Sequence, residues 1–204
     1  RVFRFKDSIG LRVSMSFVDE GGQFAQHVRL NCQERIGKKV FCIKGFGGQD
    51  KPYTSPPKQM RILIDKHMLG TCWQYQLGVD SGKQIIMDNL NVKKPGARYC
   101  HFPARDDYGA AYFIGLLSEK LEYNPKKKAH PWEWVKLPGH ERNEPLDCRN
   151  YALAAFEVLP VQLDAVERRL LAARGKATAS AAQHPKPAAR KPQKPKLSKY
   201  YDDW

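Results

Sequence analysis

At 204 residues and 42% hydrophobic content, the chain has enough material for one sizeable core and a small appendage. Its net charge of +14 points to a polyanionic partner. No apolar run approaches the ~18 residues of a membrane-spanning helix, and five cysteines placed singly, without a Cys-x-x-Cys pair, argue against a disulfide framework and a zinc site.

The basic excess is spread over the chain. Residues 174–204 carry eight Lys or Arg and two Asp, so residues 1–173 keep a net +8. The body is therefore expected to be basic without its tail.

In chain order, Val2, Phe3 and Phe5 look like a helix end running into Gly10, and the chain opens without a Met. Leu11–Asp19 alternates as a strand buried on at least one face and ends in Asp-Glu-Gly-Gly, where glycines permit a tight turn. Gln23–Ile36 reads as a helix with Phe24, Val28, Cys32 and Ile36 on one stripe, and Val40–Ile43 as a second strand. This β-α-β unit predicts a parallel pair with a right-handed crossover. Functional groups gather at the carboxyl ends of such strands, where Asp19 and Lys44 lie. Asp19 taken alone is a turn former or a ligand.

Gly45–Pro57, rich in glycine and proline, is expected to be a loop. It lacks Gly-x-x-x-x-Gly-Lys-Ser/Thr, which argues against nucleotide binding, and with its Lys51 it is either a contact to DNA backbone or a plain linker. Arg61–Ile64 and Cys72–Val79 read as strands. Ser81 is placed to cap a helix over Gly82–Leu90, with Asp80 at the corner as a cap or accessory acid. Lys83, in the first turn, is a phosphate contact or a solvated lysine.

Arg98–Phe102 reads as a short strand and Tyr108–Leu121 as a helix. Asn124–His130 is a basic turn whose Lys126, Lys127 and Lys128 are either solvated or DNA contacts. Trp132 and Trp134 alternate on a strand. His140–Leu159, HERNEPLDCRNYALAAFEVL, is a helix with Asn143 as N-cap and Glu144 and Pro145 in its first turn. Leu146, Leu153 and Phe156 share one side, and Asp147, Tyr151, Ala154 and Val158 another. Asp147 thus sits one turn inside, where a carboxylate is costly unless a metal, an arginine or a capping role compensates. His140 is a metal ligand or a surface histidine. Val161–Ala173 reads as a last amphipathic helix. Gly175–Lys199, rich in Ala, Pro and Lys, is expected to be disordered before an aromatic, acidic end at Tyr200–Trp204.

RNEPLDCRNYALAA, together with SFVDEGG, VFCIKG, LGVDSGKQIIMDNL, PGARYCHFP, LLSEKLE and WEWVKL in that order, resembles the nuclease domain of the large terminase subunit of lambda-type tailed phages. The resemblance covers about Gly10 to Leu159. It implies an RNase H-like α/β fold, a mixed central sheet flanked by helices. It places nuclease sequence over 1–159, to which the reading of the residues themselves adds a helix over 160–174 and a tail over 175–204. The implied activity is metal-dependent cutting of concatemeric double-stranded DNA during genome packaging, by two Mg²⁺ or Mn²⁺ ions. Asp19 and Asp147 are the implied ligands and catalytic acids, Asp80 a weaker ligand, and Glu144, Lys83, Lys44 and His140 accessory groups. Implied partners are DNA, the upstream nuclease and ATPase portion, the small terminase subunit, and the portal of the procapsid through the tail, all in the host cytoplasm.

One departure matters. The family's first catalytic acid sits on a strand upstream of Asp-x-Gly-Gly, and no such strand is found in this sequence. The chain is therefore expected to hold only the later part of the domain, to tend to associate through an unpaired sheet edge, and to cleave feebly alone. The competing expectation is a non-catalytic DNA-binding and docking module whose acids are structural.

Overall fold

A computed structural model of the chain describes residues 2–4, 10–48, 50–128, 130–140 and 142–183. In order, the elements are β1 (Val2–Arg4), β2 (Gly10–Arg12), β3 (Ser16–Asp19), α1 (Ala25–Glu34), β4 (Val40–Phe46), β5 (Thr54–Ile64), β6 (His67–Gly78) and α2 (Val79–Leu90). There follow α3 (Ala110–Leu116), β7 (Glu119–Tyr123), β8 (Trp132–Lys136), α4 (Glu144–Val158) and α5 (Leu163–Gln183). These fall into two units, one from Arg1–Arg12 with Gln162–Trp204 and one from Val13–Val161.

In the first unit, β1 and β2 form an antiparallel ribbon, Val2 opposite Arg12 and Phe3 opposite Leu11. Val2 and Phe3, expected in a helix end, lie in a strand, the conformation that β-branched and aromatic residue types favour, and Phe5 lies outside the described residues. The predicted strand Leu11–Asp19 is accordingly two strands, β2 and β3, in different sheets. Helix α5 begins at Leu163 and runs on to Gln183, past Gly175 where disorder was expected. Alanines at 177, 179, 181 and 182 are strong helix formers and support that extension. The tail beyond, including Tyr200–Trp204, lies outside the described residues.

The second unit is built on a sheet of order β3-β4-β6-β5. The predicted parallel pair is present, with Ser16 opposite Val40 and Asp19 opposite Ile43. Strand β6 is also parallel to β4, and β5 returns antiparallel at the edge. The hairpin turns at Asp65 and Lys66, both in the left-handed region at φ 49° and 66°. It is longer than the sequence suggests: β5 starts at Thr54 and includes Pro56 and Pro57, expected in a loop. Proline lacks the N–H of a ladder, and here both sit on an edge strand where the register shifts between Ser55 and Lys58.

Alternation along β4 sends neighbours to opposite faces. Cys42 packs with Cys32, Ile62 and Cys72 on the face covered by α1, whose Val28 and Cys32 point inward, while Phe24 and Ile36, expected on the same stripe, lie beyond the helix ends and are exposed. Ile43 and Leu77 pack against Ala154 of α4 on the other face. A third cluster, Ile86, Leu116 and Leu146, joins α2, α3 and α4. The sheet is thus layered between helices, a mixed α/β architecture. Gly82 permits the α2–α4 approach: a Cβ there would meet Asn150 Oδ1 at 1.9 Å and the Tyr53 ring at 2.4 Å.

Two further expectations are corrected. Residues 98–102 form no strand, since Arg98 adopts a left-handed φ of 65°. The helix expected over Tyr108–Leu121 is only α3, and Glu119–Tyr123 is instead a strand paired antiparallel with β8, Leu121 opposite Trp134. The Trp-bearing strand needed a ladder partner, and this segment across the Asn124 turn supplies it.

Candidate active site

Because β3, β4 and β6 are parallel, their carboxyl ends share one edge of the sheet. Asp19 ends β3 there. Its Oδ1 accepts the Gly21 N–H at 2.8 Å. That turn continues through Gly22 at φ 140°, a conformation open mainly to glycine. Its Oδ2 accepts the Tyr151 hydroxyl at 3.0 Å. Tyr151 lies one turn after Asp147 on α4, so the helix carries both Asp147 and the clasp on Asp19. Burial and the facing Asp19 carboxylate raise the Tyr151 pKa, keeping this hydroxyl a donor.

Glu20, next in sequence, points to the opposite face and is buried. Arg29 of α1 clasps it bidentately, 2.8 Å on each oxygen, and the Gln74 amide of β6 donates to it. The strand end that presents Asp19 is thereby tied to α1 and β6.

Asp147 has a side chain 33% exposed. Loss of water raises its pKa most; Glu119 and Asp19 raise it further, while Lys83 and Lys136 oppose them. Asn143 stands at the N-cap position, as predicted, but its side chain makes no cap bond. Its Nδ2 donates instead to Asp147 Oδ2 at 2.9 Å and to Glu119 Oε1 at 2.7 Å. Lys83 is not a solvated lysine. Its side chain is 10% exposed, with Nζ 2.6 Å from Glu119 Oε2 and 3.9 Å from Asp147 Oδ1.

The structure therefore gathers Asp19, Asp147 and Lys83, and adds Glu119, Asn143 and Tyr151, which the sequence reading did not select. Helical spacing alone places Glu119 in a helix; the signal for its strand is the need of Trp132–Lys136 for a partner. Other predicted groups turn elsewhere. Asp80 lies inside the first turn of α2, because the helix starts at Val79 and Ser81 donates to the Lys51 carbonyl rather than capping. The Asp80 carboxylate accepts the Gly48 N–H at 2.8 Å and so holds the loop after β4. Glu144 is exposed, 3.3 Å from Arg142 Nε, with its pKa lowered first by its own backbone N–H. The His140 ring bonds the Ile114 carbonyl at 3.2 Å. Lys44 stands 6.0 Å above the Phe46 ring, in cation–π range.

Among the described residues, no three of His, Cys, Asp and Glu stand together as a ready-made metal cage. The donors are nonetheless carboxylate oxygens, the type that suits Mg²⁺ or Mn²⁺. Of the predicted DNA contacts, Lys126, Lys127 and Lys128 are exposed on the turn between β7 and β8, where Lys127 pairs with Glu133. Lys51 is exposed and 3.6 Å from Asp50.

No curated protein and no solved structure matches the chain. A family model does: the endonuclease domain of the terminase large subunit gpA, over residues 2–170. That span contains Asp19, Lys83, Glu119 and Asp147 and nearly all of the described elements, and the chain belongs to this terminase endonuclease family.

Proposed function

We propose that this chain carries the cutting site of a phage DNA-packaging terminase, a metal-dependent endonuclease acting on concatemeric double-stranded DNA through an RNase H-like sheet. The observation that carries the reading is the meeting of Asp19, from a strand end, with the Asp147 and Tyr151 pair of α4. Asp19 and Asp147 would hold the divalent ions, Mg²⁺ or Mn²⁺. Held by these two acids, such ions would supply activation of the attacking water and stabilisation of the leaving 3′ oxygen.

The chain's own groups do the rest. Tyr151 and the Gly21 N–H orient Asp19, and Asn143 orients Asp147. The Lys83 ammonium offsets part of the negative charge that a phosphodiester meets on approach. The basic body, with Lys126, Lys128 and Lys51, draws the DNA backbone in. Asp80, Glu144 and His140 take no part in this arrangement. Upstream terminase segments, the small subunit and a portal reached by the tail are the partners, within the host cytoplasm; among the described residues no helix is long and apolar enough to cross a membrane.

One observation favours a second reading. The carboxylates already have internal donors, as they would in a non-catalytic DNA-binding module. Calorimetric Mn²⁺ titration separates the two. The nuclease reading expects uptake that Asp19→Asn and Asp147→Asn each abolish. Salt-sensitive DNA binding indifferent to Mg²⁺ and to both variants would establish the module instead.

A further inference from the structure

Glu119 has both oxygens committed inside the protein: Oε2 to Lys83 at 2.6 Å and Oε1 to Asn143 at 2.7 Å. Its side chain is 5% exposed. It is therefore built as an anchor rather than as a waiting ligand. The lysine side chain it anchors is nine-tenths buried, and its ammonium cannot go without an anion, because a lone buried charge is strongly unfavourable. The next carboxylate within its reach is Asp147, 3.9 Å away. The same Asn143 amide spans Glu119 and Asp147, so the two acids are held in one frame.

We propose that Glu119 is a positioning residue of the nuclease site: it holds the Lys83 ammonium off Asp147 and so leaves Asp147 able to take a divalent cation. Without the Glu119 charge, Lys83 closes from its present 3.9 Å onto Asp147, and the ammonium competes with the metal for the same oxygens. Glutamine at 119 keeps the shape, but its single acceptor serves only one of the two donors. This inference rests on the reading of Asp147 as a metal ligand.

The test is Mn²⁺ affinity by calorimetry on the full chain, comparing the parent with Asp147→Asn, Glu119→Gln and Glu119→Gln/Lys83→Met. Uptake by the parent that Asp147→Asn abolishes is expected. Glu119→Gln should weaken it by about ten- to a hundredfold, the usual effect of removing a group that supports a ligand. The double variant, which removes both charges, should return to within about threefold of the parent. That recovery separates positioning from ligation and keeps the question answerable if the single variant does not fold. Parent-like affinity in Glu119→Gln, or loss that persists in the double variant, overturns the inference while leaving the nuclease site standing. Uptake by the parent that Asp147→Asn leaves intact, or no uptake at all, defeats the site reading and the inference with it.

Discussion

Burial makes the ionised form of Asp147 costly to the folded chain. Burial is the first cause of its raised pKa, with Glu119 and Asp19 adding to it against Lys83. The folded state therefore binds a proton at Asp147 more readily than the unfolded chain does. Stability from this group is present at low pH and is lost as pH rises from the ordinary carboxyl value of 3.8 through the folded pKa. In the metal-free protein Asp147→Asn should raise Tm at pH 7 by a few degrees, the order of about 1 kcal/mol in a chain of this size. The gain should shrink toward pH 4. A variant less stable than the parent at pH 7 in thermal unfolding would refute this. Asp147 was legible as a costly carboxylate from helical spacing alone; which groups faced it was not, since Lys83 and Glu119 come from elements far away in sequence.

At the scale of elements, Asp19 at the end of β3 and Glu20 just after it turn to opposite faces, as alternation requires. The Arg29–Glu20 pair joins α1 to that strand end with side chains only 12% and 1% exposed. Arg29→Met should leave the Glu20 charge buried with only Gln74 as partner and cost about 3 kcal/mol, readable by urea unfolding. A loss within 0.5 kcal/mol, the ordinary scale of surface changes, would mean that the pair does not brace the strand. The β-α-β unit was legible because its periods are local: a buried strand, a stripe at 28 and 32, then a second strand. The β7–β8 hairpin was not, because Glu119–Tyr123 is a strand only by virtue of the ladder that β8 offers it. The helix expected through Leu121 lost to that pairing.

For the whole molecule, charge is the governing property. A body at +8 before the tail is counted should bind DNA with a steep salt dependence. Replacing Lys126 or Lys128 by alanine should lower the slope of log K against log salt by about 0.9 each if both meet phosphates. Lys127→Ala should do less, because Lys127 is already paired with Glu133. Equal effects of all three, measured by fluorescence anisotropy over a salt series, would argue against that distinction.

What the sequence by itself determined follows from local physics: the basic excess, the helical and strand periods, an acid before glycines at a strand end, and an acid in the first turn of α4. Those features depend on neighbours a few residues away. The tertiary structure alone decided which charges meet. It turned Asp80 to the Gly48 amide, Glu144 to Arg142 and His140 to the Ile114 carbonyl. It also buried Lys83 between Glu119 and Asp147. Partner choice among buried charges is set by distances of a few ångströms between elements, and a one-dimensional pattern does not carry those distances.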